Sequence, residues 1–392
     1  MNFNVLQNFD YYNNTLFTEY IPTNKIFTNE EEIHIFEAIK RIDIYLNYYI
    51  LQANSLSVEN FKKSIADDIQ IINNILNSKK DRDLELITKQ LTNMAIELSV
   101  KHILSKVNKI NVDNNFDSRL PSLKKDGFYT FTIPETTEFH SLCDELMISH
   151  RKMYEKQDDW RGANAFEGGI QKDKFFLFFE KFILDNKIDE LISKYHGAKC
   201  RIKYIASDYC HSRQTWFRNN HEGQDIIKTN YIHFDADPNV SKMLIYLSDV
   251  TDNDGPFKFV RGSNLQQISL FLKYMHYSLE QINNPIFSRK DDLYVRGLFT
   301  NRKDLLMKLP NILIGATHFG DDLLEGSVLY NYVVDNLVSF EASKGTCILF
   351  DGFSGLHVGG NPLHGERLAI QVAFEYEVKK VYNPIRRLWF QK

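Results

Sequence analysis

Four cysteines are all that 392 residues contain: Cys143, Cys200, Cys210 and Cys347. They are widely scattered and none forms a Cys-x-x-Cys pair, so they read as reduced thiols of a cytoplasmic protein. Glycine-rich phosphate loops and Gly-x-Ser-x-Gly elbows are missing, which removes kinase-type and serine-hydrolase readings. No long Lys/Arg tract occurs and the net charge is −4, so no track for nucleic acid is expected. No run approaches the ~18 apolar residues of a membrane span. The opening residues, MNFNVLQNFDYYNNTLF, lack a basic start before a long apolar core, so no signal peptide is expected either. Hydrophobic residues make up 43% of the chain, enough to bury a full core in one large domain with an appendage.

Against this background two segments stand out, IHFDADPN around His233 and GLHVGGNPLHGERLAIQVAF around His357. Residues two apart on a strand share a face, so His233 and Asp235 can reach one metal ion from a single strand while Phe234 turns to packing. A third ligand must come from elsewhere. Among the 12 histidines, His233 alone has an aspartate two positions on. His364 has a glutamate there (Glu366), but no histidine follows it to complete a site. Of the later candidates, His276 lies in a helix-like run and His318 has no strand-borne arginine after it. His364 is only three residues from Arg367. His357 has a glycine-rich turn before it and, ten residues on, Arg367 opening an apolar strand. The set is that of a two-histidine, one-carboxylate Fe(II) site, which leaves positions open for an oxo-acid and dioxygen. Arg367 is the natural clamp for the oxo-acid's far carboxylate, because a guanidinium fork matches a carboxylate bidentately.

SDVTDNDGPFKFVRGSN resembles a strand hallmark of the phytanoyl-CoA dioxygenase-like Fe(II)/2-oxoglutarate-dependent oxygenases, in which an acidic turn and "NGP" precede an apolar strand and "PGSH". LKKDGFYTFTIPETTEFHSLCDEL is similar to that family's opening strand and first helix. KFILDNKIDELISKYHGAKCRIKYI is similar to the helix and glycine turn before its central strands. The resemblance spans about residues 117–392. It departs at Arg261-Gly262-Ser263-Asn264, where the family's proline and histidine are replaced. The resemblance implies that His233, Asp235 and His357 bind Fe(II), that Arg367 binds 2-oxoglutarate, and that dioxygen is the second cosubstrate. It further implies hydroxylation of a C–H bond in a small molecule of acyl-CoA, amino-acid, sugar or natural-product type. With a carboxylate at 235, the position a halogenase leaves empty for chloride is filled.

Thr28-Asn29-Glu30-Glu31 is a capping box ahead of a helix running to about residue 51. A second helix is expected over 58–76, with Phe61, Ile65, Ile72 and Leu76 on one side. A third is expected over 83–107, with Ile87, Leu91, Met94 and Leu98 as its stripe. Residues 111–118 read as a linker, dividing a helical region, 1–116, from an oxygenase domain, 117–392. The helical region is expected to pack on the barrel; the alternatives are a homo-oligomer contact or an interaction platform. Beyond the linker, strands are expected near 127–133, 200–205, 230–235, 242–247, 257–260, 346–350 and 368–378, with helices over 135–149 and 175–195. Many short strands argue for an α+β fold built on a double-stranded β-helix, or jelly roll, with flanking helices. Residues 265–340 form an insertion expected to act as a lid. Lys273, Arg296 and Arg302 are among the residues that make its first part mildly basic, as a solvated surface excursion would be; the alternative is an anionic substrate gripped by Arg296 or Arg302. A catalytically silent metal- or ligand-binding jelly roll is the remaining alternative.

Overall fold

The computed structural model describes residues 26–53, 57–107, 109–110, 112, 117–156, 162–166, 168, 173–211, 232, 234–235, 240–265, 269–281, 309–310, 328–360, 362 and 364–377. The first helices are α1 (Asn29–Leu51), α2 (Ser57–Asn77) and α3 (Arg82–Val107). The capping box forms: Thr28 Oγ1 accepts from Glu31 N, and Glu31 Oε2 accepts from Thr28 N at 2.8 Å. Such a cap satisfies backbone donors that have no partner within the helix. Phe61, Ile65, Ile72 and Leu76 are fully enclosed, as their spacing predicts.

The stripe expected on α3 is rotated. Leu91 is buried, Met94 and Leu98 are only half-buried, and the Ile87 side chain lies outside the described residues. The buried face instead carries Leu84, Thr88, Thr92, Ala95, Ser99, His102 and Ile103. Thr88, Thr92 and Ser99 donate to the carbonyls of Leu84, Thr88 and Ala95 one turn back, so small hydroxyl residues sit in the core without unmet polarity. α3 also packs against α8 (Leu270–Gln281), which comes from the segment read as a lid. Phe271, Leu272, Tyr274 and Met275 join α1–α3 in one apolar cluster. The first helix of that segment is therefore packed into the helical region. The rest of the segment is described only at 265, 269, 309–310 and 328–340. Of the basic residues expected there, only Lys273 is described; Arg296 and Arg302 lie outside the described residues.

The remaining helices, interleaved with the strands, are α4 (Leu120–Asp126), α5 (Thr137–Lys156), α6 (Lys174–Asp185), α7 (Ile188–His196) and, late in the chain, α9 (Val328–Asn336). One helix was expected over 175–195, but Lys187 adopts φ 54°, a left-handed conformation that ends α6 and starts α7. The strands are β1 (Phe128–Thr132), β2 (Gly162–Ala165), β3 (Cys200–His211), β4 (Val240–Tyr246), β5 (Lys258–Val260), β6 (Leu337–Ser339), β7 (Thr346–Phe350), β8 (His357–Val358) and β9 (Glu366–Tyr376). They build a six-stranded antiparallel sheet, β1-β7-β4-β9-β3-β2, and a three-stranded antiparallel sheet, β6-β5-β8.

Alternation sorts the large sheet into two faces. Met243, Ile245, Leu349, Ile370, Val372 and Phe374 pack under α5–α7. Leu244, Tyr246, Ile348, Phe350 and Ala369 face the small sheet, where they meet Phe257 and Phe259. This inter-sheet space is where the sequence places its site. All four cysteines are buried and none is in a disulfide. Among the described residues no helix is long and apolar enough to cross a membrane.

Two imidazoles lie on helices, His102 on α3 against Tyr274 and His196 at the end of α7 against Ser241. Burial pushes His102 down to about 3, with Lys106 adding to the effect, and His196 down to about 4 against the pull of Asp351. Both are neutral when folded, whereas in the unfolded chain they take up protons near 6.5. Between about 4 and 6.5 the unfolded state thus holds more protons, and stability falls as pH falls. Asp43 acts oppositely: burial raises it from 3.8 to about 7, so its folded form keeps a proton there. Two imidazoles outweigh one carboxyl. The urea midpoint is expected to drop as pH is lowered from 6.5 to 5; a flat or rising midpoint contradicts this balance.

Candidate functional site

Asp235 and His357 come together from segments far apart in sequence. Ile232, Phe234 and Asp235 lie in no strand, which corrects the strand expected over 230–235; His233 lies outside the described residues. Asp235 is held by its backbone, with its N–H donating to Gly352 O at 2.7 Å. His357 opens β8 opposite Phe259 on β5. Its ring sits among Phe350, Phe257 and Phe259, with centroids 5.1, 5.9 and 6.5 Å away. Asp235 Oδ2 lies 3.7 Å from His357 Nε2.

Protonation follows from the neighbours. His357 Nδ1 is 3.0 Å from Gly355 O, and a carbonyl only accepts, so Nδ1 carries the hydrogen. In the neutral ring Nε2 then turns a lone pair toward a carboxylate oxygen. Two such donors facing each other are what a bound cation reconciles; zinc, for example, sits about 2.0–2.2 Å from imidazole nitrogen and carboxylate oxygen. A backbone carbonyl on the far nitrogen is also the usual outer partner of a metal-bound histidine. Lys242 Nζ takes the other carboxylate oxygen, Asp235 Oδ1, at 2.8 Å. The donor set therefore fits a first-row metal. Among the described residues no third His, Cys, Asp or Glu completes a group of three. His364, the rejected candidate, is exposed before β9.

Gly352 sits where a side chain would collide with this pair. A Cβ there would lie 2.0 Å from Asp235 Oδ2 and 3.1 Å from His357 Cε1. Gly352→Ala is expected to displace the carboxylate and weaken metal binding by about ten-fold or more, the scale of lost supporting contacts at metal sites. Calorimetric titration with Co(II) or Ni(II) reads it, with circular dichroism confirming an intact fold; unchanged affinity contradicts the close approach.

Arg367 lies on the face of β9 that looks into the inter-sheet space, two residues before Ala369, and is 2% exposed. Its Nη1 donates to Gly255 O and its Nη2 to Cys210 Sγ at 3.5 Å, with Asp208 Oδ2 at 4.0 Å. Its Nε has no hydrogen-bond partner among the described residues. Burial alone would lower its pKa, but Cys210, Tyr246 and Asp208 together turn the shift upward. A buried guanidinium with an unused donor is suited to an incoming anion. Gly255 is in turn covered by Gly360, whose Cβ would fall 2.2 Å from Gly255 O.

Several contributors carry little or no sequence signature. Lys242 opens the KMLIYL strand on its inward parity, the one hint available. Asp351 accepts from Tyr195 Oη at 3.0 Å and from the backbone of Phe353 and Ser354, shaping the turn into His357. The departure at Arg261–Asn264 is structural: Ser263 Oγ accepts from Leu356 N at 2.8 Å, and Asn264 donates to Lys124 O. That turn braces the entry to β8.

No protein-family model matches the chain, and no curated protein does. Among solved structures it is similar to the non-heme alpha-ketoglutarate-dependent epimerase SnoN from nogalamycin biosynthesis: 14% identity over 66% of this chain and 79% of that one, TM-score 0.35. It is similar to EctD from S. alaskensis at 11% identity over 70% and 84% of the two chains, TM-score 0.37. HygX from Streptomyces hygroscopicus, with nickel and 2-oxoglutarate bound, gives 12% identity over 67% and 87%, TM-score 0.37. Likeness at this level decides nothing about the chemistry of this chain, which rests on its own residues.

Proposed function

We propose that the chain is a non-heme Fe(II)- and 2-oxoglutarate-dependent dioxygenase that hydroxylates a C–H bond of a small molecule. The observation that carries this reading is the facing pair, Asp235 Oδ2 and His357 Nε2 at 3.7 Å, with Nδ1 of the histidine committed elsewhere. The two antiparallel sheets closing on an apolar interior support a jelly roll, whose mouth is a common ligand site. In this reading Asp235, His357 and His233 hold the iron.

When bound, iron and 2-oxoglutarate supply the oxidising chemistry, with succinate and carbon dioxide as products and dioxygen consumed. The protein's own residues do the rest. Lys242 holds one oxygen of Asp235, and the other faces His357. Gly355 O fixes the ring orientation of His357. Arg367 receives the distal carboxylate of the oxo-acid, and Phe257, Phe259 and Phe350 exclude water around His357. The carboxylate at 235 favours hydroxylation over halogenation. The substrate is a small molecule of acyl-CoA, amino-acid, sugar or natural-product type.

Succinate formation dependent on Fe(II), dioxygen and 2-oxoglutarate tests the reading, with candidate substrates screened for stimulation. Turnover is expected even uncoupled from substrate, at a lower rate. Succinate yields indifferent to added Fe(II), or an inability to bind 2-oxoglutarate, overturn it.

A further inference from the structure

The helical region reaches both metal-bearing segments through one side chain, Lys273 of α8. Its Nζ donates to Phe353 O at 2.9 Å and lies 4.7 Å from the Phe353 ring. The same ammonium sits 4.1 Å from the ring of Phe234, the neighbour of Asp235. Phe353 follows Gly352, whose carbonyl holds Asp235 N, and stands four residues before His357. Lys273 thus touches the Asp235 segment and the His357 segment at once.

Its own position is fixed from the N-terminal helices. Asp43 of α1 accepts from Phe271 N at 2.7 Å and from the hydroxyl of Ser269, anchoring the first turn of α8. The Phe353 ring packs edge-on to His102 of α3 and stacks with Tyr274, and His102 Nδ1 lies 2.7 Å from Tyr274 Oη. Burial lowers the pKa of Lys273, while Asp351 and Asp43 raise it. An ammonium kept between two aromatic faces and a carbonyl is held by cation–π attraction and a charge-assisted hydrogen bond.

We infer that Lys273 is a positioning residue that sets the spacing of Asp235 and His357 by clamping Phe234 and Phe353, making α1–α3 and α8 part of the metal site's support. This rests on the metal-site reading above. It predicts a loss of metal affinity without loss of fold, because the clamp acts on the two ligand segments and not on the sheet.

Co(II) and Fe(II) affinities of the full-length protein would be measured anaerobically for the wild type, Lys273→Met and Lys273→Arg. Lys273→Met is expected to bind metal about ten-fold more weakly, the scale of supporting contacts, with Lys273→Arg recovering part of it. The urea midpoint of the metal-free protein should change far less than the affinity. Where Lys273→Met does not fold, Phe234→Leu decides: it removes one ring of the clamp and leaves α8 intact, and weaker metal binding is again expected. Wild-type affinity in a folded Lys273→Met, or in Phe234→Leu when that variant decides, overturns the inference. A wild-type protein that binds neither metal overturns the functional reading instead, so the two failures are distinct.

Discussion

Alanine at Asp235 or at His357 is expected to lower Fe(II) affinity by more than about a hundred-fold and to abolish succinate formation. Loss of an outer contact at a metal site typically costs about 10–100-fold, and a ligand itself costs more. His233→Ala is expected to behave alike, because a three-ligand site has no spare donor. The pair lies in one place: Asp235 Oδ2 and His357 Nε2 are 3.7 Å apart, and the missing side chain of Gly352 makes room for the carboxylate. The measurement is metal titration of each variant followed by turnover, with the urea midpoint checked in parallel. Near-normal turnover without His357 contradicts the assignment. His364→Ala, on an exposed position, is the control expected to leave metal binding unchanged.

Arg367→Ala is expected to raise the 2-oxoglutarate requirement by about ten- to a hundred-fold or more while moving metal affinity little. A charge-assisted bidentate contact in a dry pocket is worth a few kcal/mol, which sets that scale. Arg367→Lys should recover only part of the loss, because an ammonium cannot reproduce the planar fork. Cys210 and Asp208 lose their neighbour in the alanine variant, so the unfolding midpoint should be measured beside KM. An unchanged KM for 2-oxoglutarate, with activity intact, means that the clamp lies elsewhere. Arg387→Ala is the comparison, expected to be neutral; that position lies outside the described residues.

Local chemistry made much of this protein legible in its sequence. Thr28 and Glu31 form the capping box their spacing implies, because a cap needs only residues three apart. Phe61, Ile65, Ile72 and Leu76 are buried because one apolar face of a helix suffices to specify burial. β7 runs over Thr346–Phe350 as expected, and Arg367 looks inward, because alternation fixes strand faces. Elimination among the histidines led to His357, which stands beside Asp235. What pattern could not supply was anything whose cause lies across the fold. The buried face of α3 meets α8 through His102 and Tyr274, 172 residues apart, and carries threonine and serine that look solvent-facing in sequence. Lys273 reads as one charge in a basic surface stretch, yet it lies between Phe234 and Phe353. Lys242 meets Asp235 only because β4 brings its inward face beneath that segment. Periodicity records which residues avoid water; it carries no record of the partner they meet, and at this site the partners are long-range.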